Sequence, residues 1–337
     1  MRDYIPPFHM TDKITNLLAA ISEQIGRITV LSHGNLNPHL RKENRIKTIH
    51  SSLAIEHNSL SLEQVTAILD GKRILGNPNE IQEVKNTYEA YEMMLTLNPY
   101  SISDLLSAHQ KMMAGLIPEN GRFRNGGVGV FDGDIVVHMA PPAWLVPGQI
   151  QALFDWYQAS EMHPLIRSAI FHYEFEFIHP FADGNGRIGR MWHSLLLGSW
   201  NEIFYWLPIE ELIRSRQQAY YNALGKSDQA ADSSTFVEFL LEIILDTLKE
   251  TTVVGKEPDF STKQNPFVEK LLVVLGEEAF STSELMEKLG LSHRPTFRKN
   301  YLLPAIKQGL VEMTIPDKPN SRNQKYRKKQ LSRSSTK

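Results

Sequence analysis

The twelve residues from His179 to Arg190, HPFADGNGRIGR, bring an imidazole, a carboxylate, a glycine-rich turn and two guanidinium groups into one short stretch. A histidine has the right unperturbed pKa to take a proton from a hydroxyl near neutral pH. Gly184, Asn185 and Gly186 lie between an apolar helical run, AIFHYEFEFI, and the start of another, RIGRMWHSLLLG. A loop in that position delivers unpaired backbone N–H groups and the positive end of a helix dipole to one point, which is how a phosphate nest is made. Its glycines let the backbone close on an anion with no Cβ in the way. Arg187 and Arg190 are three residues apart on the new helix, hence on one face, where their forks can grip separate phosphates of a nucleotide. Asp183 adds a hard oxygen ligand of the kind that suits magnesium bridging phosphates. Taken singly, each feature has an ordinary structural reading: a turn, a solvated arginine pair, a histidine beside a proline. In this order and spacing they describe a base aligned with a phosphate cradle.

The elements that must position these groups are mainly helical. Apolar residues recur at three- and four-residue spacing in ITNLLAAISEQIGRI from Ile14 and in LEQVTAILDG from Leu62, the second closed by Gly71. Further helices are predicted from Pro147 to about Ala159, Pro164 to Ile178, Ile188 to Ser199, Ile209 to Leu224 and Thr235 to Glu250. VGVFDGDIVVHMAPP is the exception: two β-prone runs flank Asp132-Gly133, a tight-turn dipeptide, and Pro141-Pro142 stop the second strand.

The 337 residues contain no cysteine, which excludes disulfides, thiolate zinc sites and cysteine nucleophiles and fits a reducing compartment. No stretch approaches the roughly eighteen apolar residues that a spanning helix needs; a cytoplasmic protein with no membrane partner is expected. The net charge is -2, yet from Gln264 onward there are 14 Lys/Arg against 7 Asp/Glu, leaving 22 against 31 before it. The preceding stretch, VVGKEPDFSTKQNP, reads as a linker. Beyond it come a helix from Phe267 to Leu275, a second from Ser281 to Leu289 with Glu284 completing a capping box, a turn at Gly290, a third helix from about His293 and a basic hairpin built on LVEM and KYRKK. This is a winged helix-turn-helix pattern. The expected divisions are 1–100, an N-terminal helical region; 101–252, a catalytic core; 253–264, a linker; 265–330, the winged helix; and 331–337, a basic tail.

HPFADGNGRIGR matches every fixed position of the Fic signature, HxFx(D/E)GNGRxxR, and from the first helix to about Glu250 the chain resembles a Fic protein. The resemblance implies a mainly α, Fic-type helical core with a small β-hairpin flap. It also implies transfer of AMP from ATP, with Mg2+, to a Ser, Thr or Tyr hydroxyl of a target protein, releasing pyrophosphate. His179 is then the general base and Asp183 the magnesium ligand. Gly184, Asn185 and Gly186 hold the α- and β-phosphates, Arg187 supports the β-phosphate and Arg190 the γ-phosphate. The hairpin from Val128 to Met139 resembles the family's flap, with Val136, Val137 and His138 nearest ATP, although a hairpin that merely covers the core is the simpler reading. Tyr220 and Tyr221 resemble the paired tyrosines of an adenine pocket, although such pairs on helices are more often core.

Upstream, SSLAIEHN from Ser51 to Asn58 resembles the inhibitory motif (S/T)xxxE(G/N), which implies that Glu56 pairs with Arg190 and Ser52 fixes the helix that carries it. His57 departs from the Gly or Asn of that motif; Asn58, one step later, is the candidate left-handed cap. The plain alternative is a solvated glutamate near a helix end. Glu56 is also placed to serve the reverse reaction, removal of AMP, and relatives transfer other phosphate-containing groups with the same cradle. A homodimer is common in the family. In the C-terminal module, Arg294, Arg298 and Lys299 on the third helix and Arg322, Lys325, Arg327, Lys328 and Lys329 on the wing suit DNA phosphates, as well as a protein-docking role. A nucleotide-sensing DNA-binding regulator is therefore the competing function, against which the intact His179 argues.

Overall fold

In the computed structural model the described residues are 4–31, 38–132, 135–254, 266–275, 278–291, 294–307, 310–316, 321 and 324–329. The chain forms two compact units, Met1–Gly255 and Lys256–Lys337. Residues 1–100 and 101–252, distinguished in sequence, share the first unit.

That unit is helical: α1 (Asp12–Leu31), α2 (Pro38–Ile55), α3 (Leu62–Leu69), α4 (Pro78–Met93), α5 (Ile102–Met112), the hairpin β1 (Gly129–Asp132) and β2 (Ile135–Met139), then α6 (Val146–Ala159), α7 (Pro164–Ile178), α8 (Asn185–Trp200), α9 (Ile209–Ser215), α10 (Gln217–Ala230) and α11 (Ser234–Val254). Local chemistry sets the ends. Ser61 and Gln64 form a reciprocal capping box at the start of α3, and Gly71 follows that helix with φ +77°. Pro164 opens α7, where the His163 ring accepts the Leu165 N–H at 3.3 Å.

Helices α7 and α8 are buried on nearly every side, and besides their apolar residues they bury His172, Glu174, Arg187, Arg190 and His193. Phe171, Phe175, Trp192, Leu195 and Leu196 join one core with Leu53, Tyr91 and Met113, while Ile166, Ile170, Tyr173 and Leu197 join a second with Ile14, Phe236 and Leu240. The loop joining α7 to α8, which carries the signature, thus projects from two deeply buried helices.

The structure departs from the sequence expectations at three places here. Helix α8 begins at Asn185 rather than Ile188, because Gly184 takes a left-handed conformation (φ +80°) and starts the helix directly after it. The expected Ile209–Leu224 helix breaks at Arg216 (φ -118°, ψ 32°) into α9 and α10, with no proline or glycine to signal it; the Arg216 guanidinium instead reaches Asp246 of α11 at 2.8 Å. In the hairpin, Asp132 pairs with Ile135, so Asp132 is itself a strand residue, and the register shifts after Val130, where Val130 faces His138 and Phe131 faces Val136.

The second unit contains α12 (Pro266–Leu275), β3 (Phe280–Ser281), α13 (Thr282–Lys288), α14 (Arg294–Phe297), a π turn (Arg298–Leu302), α15 (Leu303–Lys307), β4 (Val311–Met313) and β5 (Lys325–Lys328), with antiparallel sheet order β3-β5-β4. It has its own core of Val268, Leu271, Leu285, Phe297, Leu302 and Tyr326. The two-residue β3 has no periodicity to betray it in sequence. Pro304, lacking an N–H, sits just after the π turn that interrupts the third helix. Arg294, Arg298, Lys325, Arg327, Lys328 and Lys329 are exposed, and Arg327 is paired with Glu312 at 2.6 Å. Arg322, the Lys299 side chain, the tail 331–337 and most of the expected linker lie outside the described residues. Among the described residues no helix is long and apolar enough to cross a membrane.

Candidate active site

The site begins where α7 ends. His179 is the C-cap of α7 in a left-handed conformation (φ 50°, ψ 63°), and its N–H closes on the Phe175 carbonyl at 3.0 Å. Such a backbone is uncommon for a side chain with a Cβ and needs surrounding structure to hold it. It turns the ring so that Nδ1 lies 3.3 Å from the Glu176 carbonyl. A carbonyl only accepts, so Nδ1 carries the proton and Nε2 is the nitrogen with the lone pair, the tautomer a general base requires.

The turn that follows is closed by Asn185, whose side chain accepts from the Phe181 N–H at 2.8 Å and donates to the Phe181 carbonyl at 2.9 Å. Asp183 Oδ1 accepts the Gly184 N–H at 2.6 Å and lies 3.3 Å from Arg187 Nη2, while its side chain remains more than half exposed. Gly184 and Gly186 allow a close approach: a Cβ on Gly184 would come within 2.7 Å of Met113 Sδ, and one on Gly186 within 2.4 Å of the end of the Glu56 side chain, Oε1. The first amides of α8 have no intrahelical acceptors and, with the helix dipole, make this end a seat for an anion.

An anionic side chain is already there. Arg190 is buried and donates from Nη2 to Glu56 Oε1 at 2.8 Å and to the Ser52 carbonyl at 3.0 Å, with Nε 3.2 Å from Ser52 Oγ. The Glu56 carboxylate thereby sits against Gly186 at the mouth of the nest. Burial works against its charge, but the Arg190 ion pair, aided by Arg187, outweighs that and holds the carboxyl below the usual range. Burial likewise opposes the charge on Arg190, and Glu56 more than compensates, so the guanidinium is held more firmly protonated than usual.

The end of α2 corrects one expectation. His57 itself, not Asn58, takes the left-handed position (φ 67°). The His57 N–H bonds the Ala54 carbonyl at 3.1 Å and the Asn58 N–H the Leu53 carbonyl at 3.1 Å, the paired bonds of a Schellman end. Asn58 is freed for other work: its carboxamide donates to Glu83 Oε2 at 2.7 Å and accepts the Leu60 N–H at 3.1 Å.

The two tyrosines separate. Tyr220 is buried, with its hydroxyl 2.9 Å from His172 Nε2, so it belongs to the core and not to an open pocket wall. His172 is enclosed with it, and burial pushes its imidazole down to about 3. Tyr221 is exposed at 40 % and stands beside α2, whose Ile55 carbonyl accepts from Gln217 at 3.1 Å. Burial raises its phenol pKa, with the Glu56 charge adding to the effect. Val136, Val137 and His138 lie on or beside the paired part of β2, and β2 packs near α10; their side chains lie outside the described residues.

Three residues of this site escaped the sequence reading. Arg124 bonds the His179 carbonyl at 2.7 Å. His109 stacks on Phe181 with ring centroids 3.7 Å apart; its Nδ1 accepts the Gly121 N–H at 2.9 Å, so its Nε2, 3.0 Å from the Asp183 carbonyl, is the donor. Burial pushes the imidazole of His109 down to about 4, which keeps it neutral in this role. Glu83 reaches Arg187 Nη1 at 3.3 Å as well as Asn58, joining the cradle to the end of α2. None of the three stands in a motif, and each is 40 or more residues from the loop it supports in the chain, so no spacing signal existed.

Comparisons with known proteins bear on the family of this chain. Residues 99–197 match the Fic/DOC family, and residues 266–328 match the C-terminal domain of Fic-like proteins, described as filamentation induced by cAMP protein Fic-like. The crystal structure of a Fic family protein from Desulfovibrio desulfuricans is similar at 50% identity with a TM-score of 0.76, covering 97% of this chain and 99% of that one. Fic-1 (residues 134–508) from C. elegans, at 23% identity and a TM-score of 0.57 over 72% of each chain, shares the fold. Among curated proteins, the chain is 30% identical over 195 residues to a protein adenylyltransferase Fic of Nematostella vectensis and 31% identical over 227 residues to one of Culex quinquefasciatus. Those alignments cover 54% and 61% of this chain but only 44% and 41% of the relatives' length. With the signature intact and a half-identical Fic structure matched over nearly its whole length, the chain belongs to the Fic family.

Proposed function

We propose that the protein is a protein adenylyltransferase held at rest by its own glutamate. A Ser, Thr or Tyr hydroxyl of a target protein attacks the α-phosphorus of ATP. A new oxygen–phosphorus bond forms as the bond to the β-phosphate oxygen breaks, pyrophosphate leaves, and His179 Nε2 takes the hydroxyl proton. The α8 amides receive phosphate oxygens, and Arg187 and Arg190 face the β- and γ-phosphates.

The residues present fit magnesium in one way. Among the described residues no three His, Asp or Glu converge as a metal site made by protein alone. The single exposed carboxylate of Asp183 suits an ion that completes its shell with phosphate oxygens and water. When bound, magnesium would neutralise charge on the phosphates.

The observation that carries the reading is the 2.8 Å pair between Arg190 and Glu56. A protein carboxylate occupying the anion seat of a complete cradle makes sense if a phosphate must be kept from it. Adding ATP and magnesium to a Glu56→Gly preparation is expected to yield a mass increase of one AMP per modified hydroxyl, well above the unmodified protein. The same variant carrying His179→Ala is expected to show none. Equal, absent modification in the single variant and the parent would overturn the proposal.

A further inference from the structure

Arg124 lies in the turn that leads into the hairpin, and it is buried with only 4% of its surface exposed. Among the described residues its guanidinium has no carboxylate as a hydrogen-bond acceptor. Nε donates to the His179 carbonyl at 2.7 Å, Nη2 to the carbonyls of Ile178 at 3.2 Å and Pro141 at 2.5 Å, and Nη1 to the Gly126 carbonyl at 2.9 Å. Its own N–H donates to the Pro180 carbonyl at 2.9 Å. A buried cation is costly unless its donors are satisfied, and every acceptor of this planar fork among the described residues is a backbone oxygen.

Those oxygens belong to two groups. Ile178, His179 and Pro180 are the end of α7 and the turn that aims the base; the carbonyls at this end of a helix carry partial negative charge, which favours a cation. Gly126 and Pro141 are the two stems of the β1–β2 hairpin, closed above by the Ala140 N–H on the Val128 carbonyl at 3.2 Å. One side chain therefore ties both legs of the hairpin to the peptide units on either side of His179. His179 holds its left-handed backbone without a glycine's freedom, and Arg124 supplies bonds that such a conformation needs in order to persist.

From this geometry we infer that Arg124 is a positioning residue, which sets the hairpin and His179 in register so that an acceptor segment lying along the hairpin meets the base. The inference rests on the proposed transfer reaction. Arg124 touches neither cradle arginine nor the α8 amides in any bond described, so its effect falls on alignment of the acceptor and base and spares ATP binding.

The test uses full-length protein carrying Glu56→Gly, with Arg124→Lys and Arg124→Met added separately. The rate of self-modification at saturating ATP is expected to fall by at least about tenfold in the Met variant while the ATP concentration for half-maximal rate stays within about twofold. The Lys variant keeps a charge but loses the fork, and should recover only part of the rate. Amide hydrogen exchange should accelerate at residues 126–141 and 178–181 together and stay unchanged in α8. An unaltered rate, a weakened ATP dependence at unaltered rate, or exchange rising uniformly over the unit would overturn the inference. If the Glu56→Gly parent itself transfers nothing, the transfer reading fails on its own; exchange then decides the tie, which unchanged protection at either segment would refute.

Discussion

Two helix ends meet at the cradle, and they solve the same geometric problem with different residues. The C-terminal end of α2 turns through His57 at φ 67°, and the N-terminal end of α8 starts from Gly184 at φ 80°. At α8 the left-handed residue is a glycine and no side chain could replace it without meeting Met113. At α2 it is a histidine, which pays a conformational penalty of roughly 1–2 kcal/mol for an L-residue in that region. In the proposed mechanism the end that receives phosphate is built without strain, and the end that carries Glu56 is built with it. A helix end held against a penalty is the easier of the two to loosen, which suits the release of Glu56 that the proposed function requires.

The contrast can be broken by substitution. Gly184→Ala combines a left-handed backbone with a contact of 2.7 Å to Met113 Sδ. A stability loss of about 2–4 kcal/mol is expected, read by chemical denaturation. Gly186→Ala should be milder for folding but should separate two roles. Its Cβ would lie 2.4 Å from Glu56 Oε1 and 2.8 Å from Arg190 Nη1, so it displaces the inhibitor and fills the seat together. ATP affinity by calorimetry is expected to fall about tenfold or more relative to Glu56→Gly, with no gain in transfer.

Acidification probes the ion pair itself. The Glu56 carboxyl is depressed in the folded protein, so its stabilising contribution is complete above its ordinary value of 4.5 and is lost as pH falls through the lower folded value. The melting temperature of the parent should exceed that of Glu56→Gln at pH 7, and the gap should shrink as pH falls below Glu56's ordinary value of 4.5. The smallest effect is expected at His57→Gly, which removes the strained Cβ but loosens the unfolded chain; a net gain of up to about 1 kcal/mol, or roughly 2 °C, should appear in thermal melting. A loss there would contradict the account of α2.

Much of this was legible because the information is local. A base, a glycine-opened helix and two arginines three apart occupy one stretch of chain, and periodicity alone marked the buried helices around it. The boundaries that failed were those decided by distant partners: Arg216, where α9 gives way to α10, reaches Asp246 of another helix. Tyr220 and Tyr221 are neighbours in sequence with opposite environments, one bonded to a buried histidine and one half open beside α2. Helical spacing assigns a face, but the packing of α7, α10 and α11 determines which face is inside.

The sequence by itself determined the family and the residues proposed for its chemistry, because a histidine, a glycine-opened turn and two arginines need only short-range order in the backbone. By resemblance it also paired Glu56 with Arg190, a pair the structure contains, but it did not specify the means of holding them. Only the tertiary structure put a carboxylate 2.8 Å from a buried guanidinium 134 residues away, seated it on Gly186, and placed His109, Arg124 and Glu83 behind the loop. Such contacts follow from which faces of separate helices are buried together, a property of the packed core and not of any segment within it.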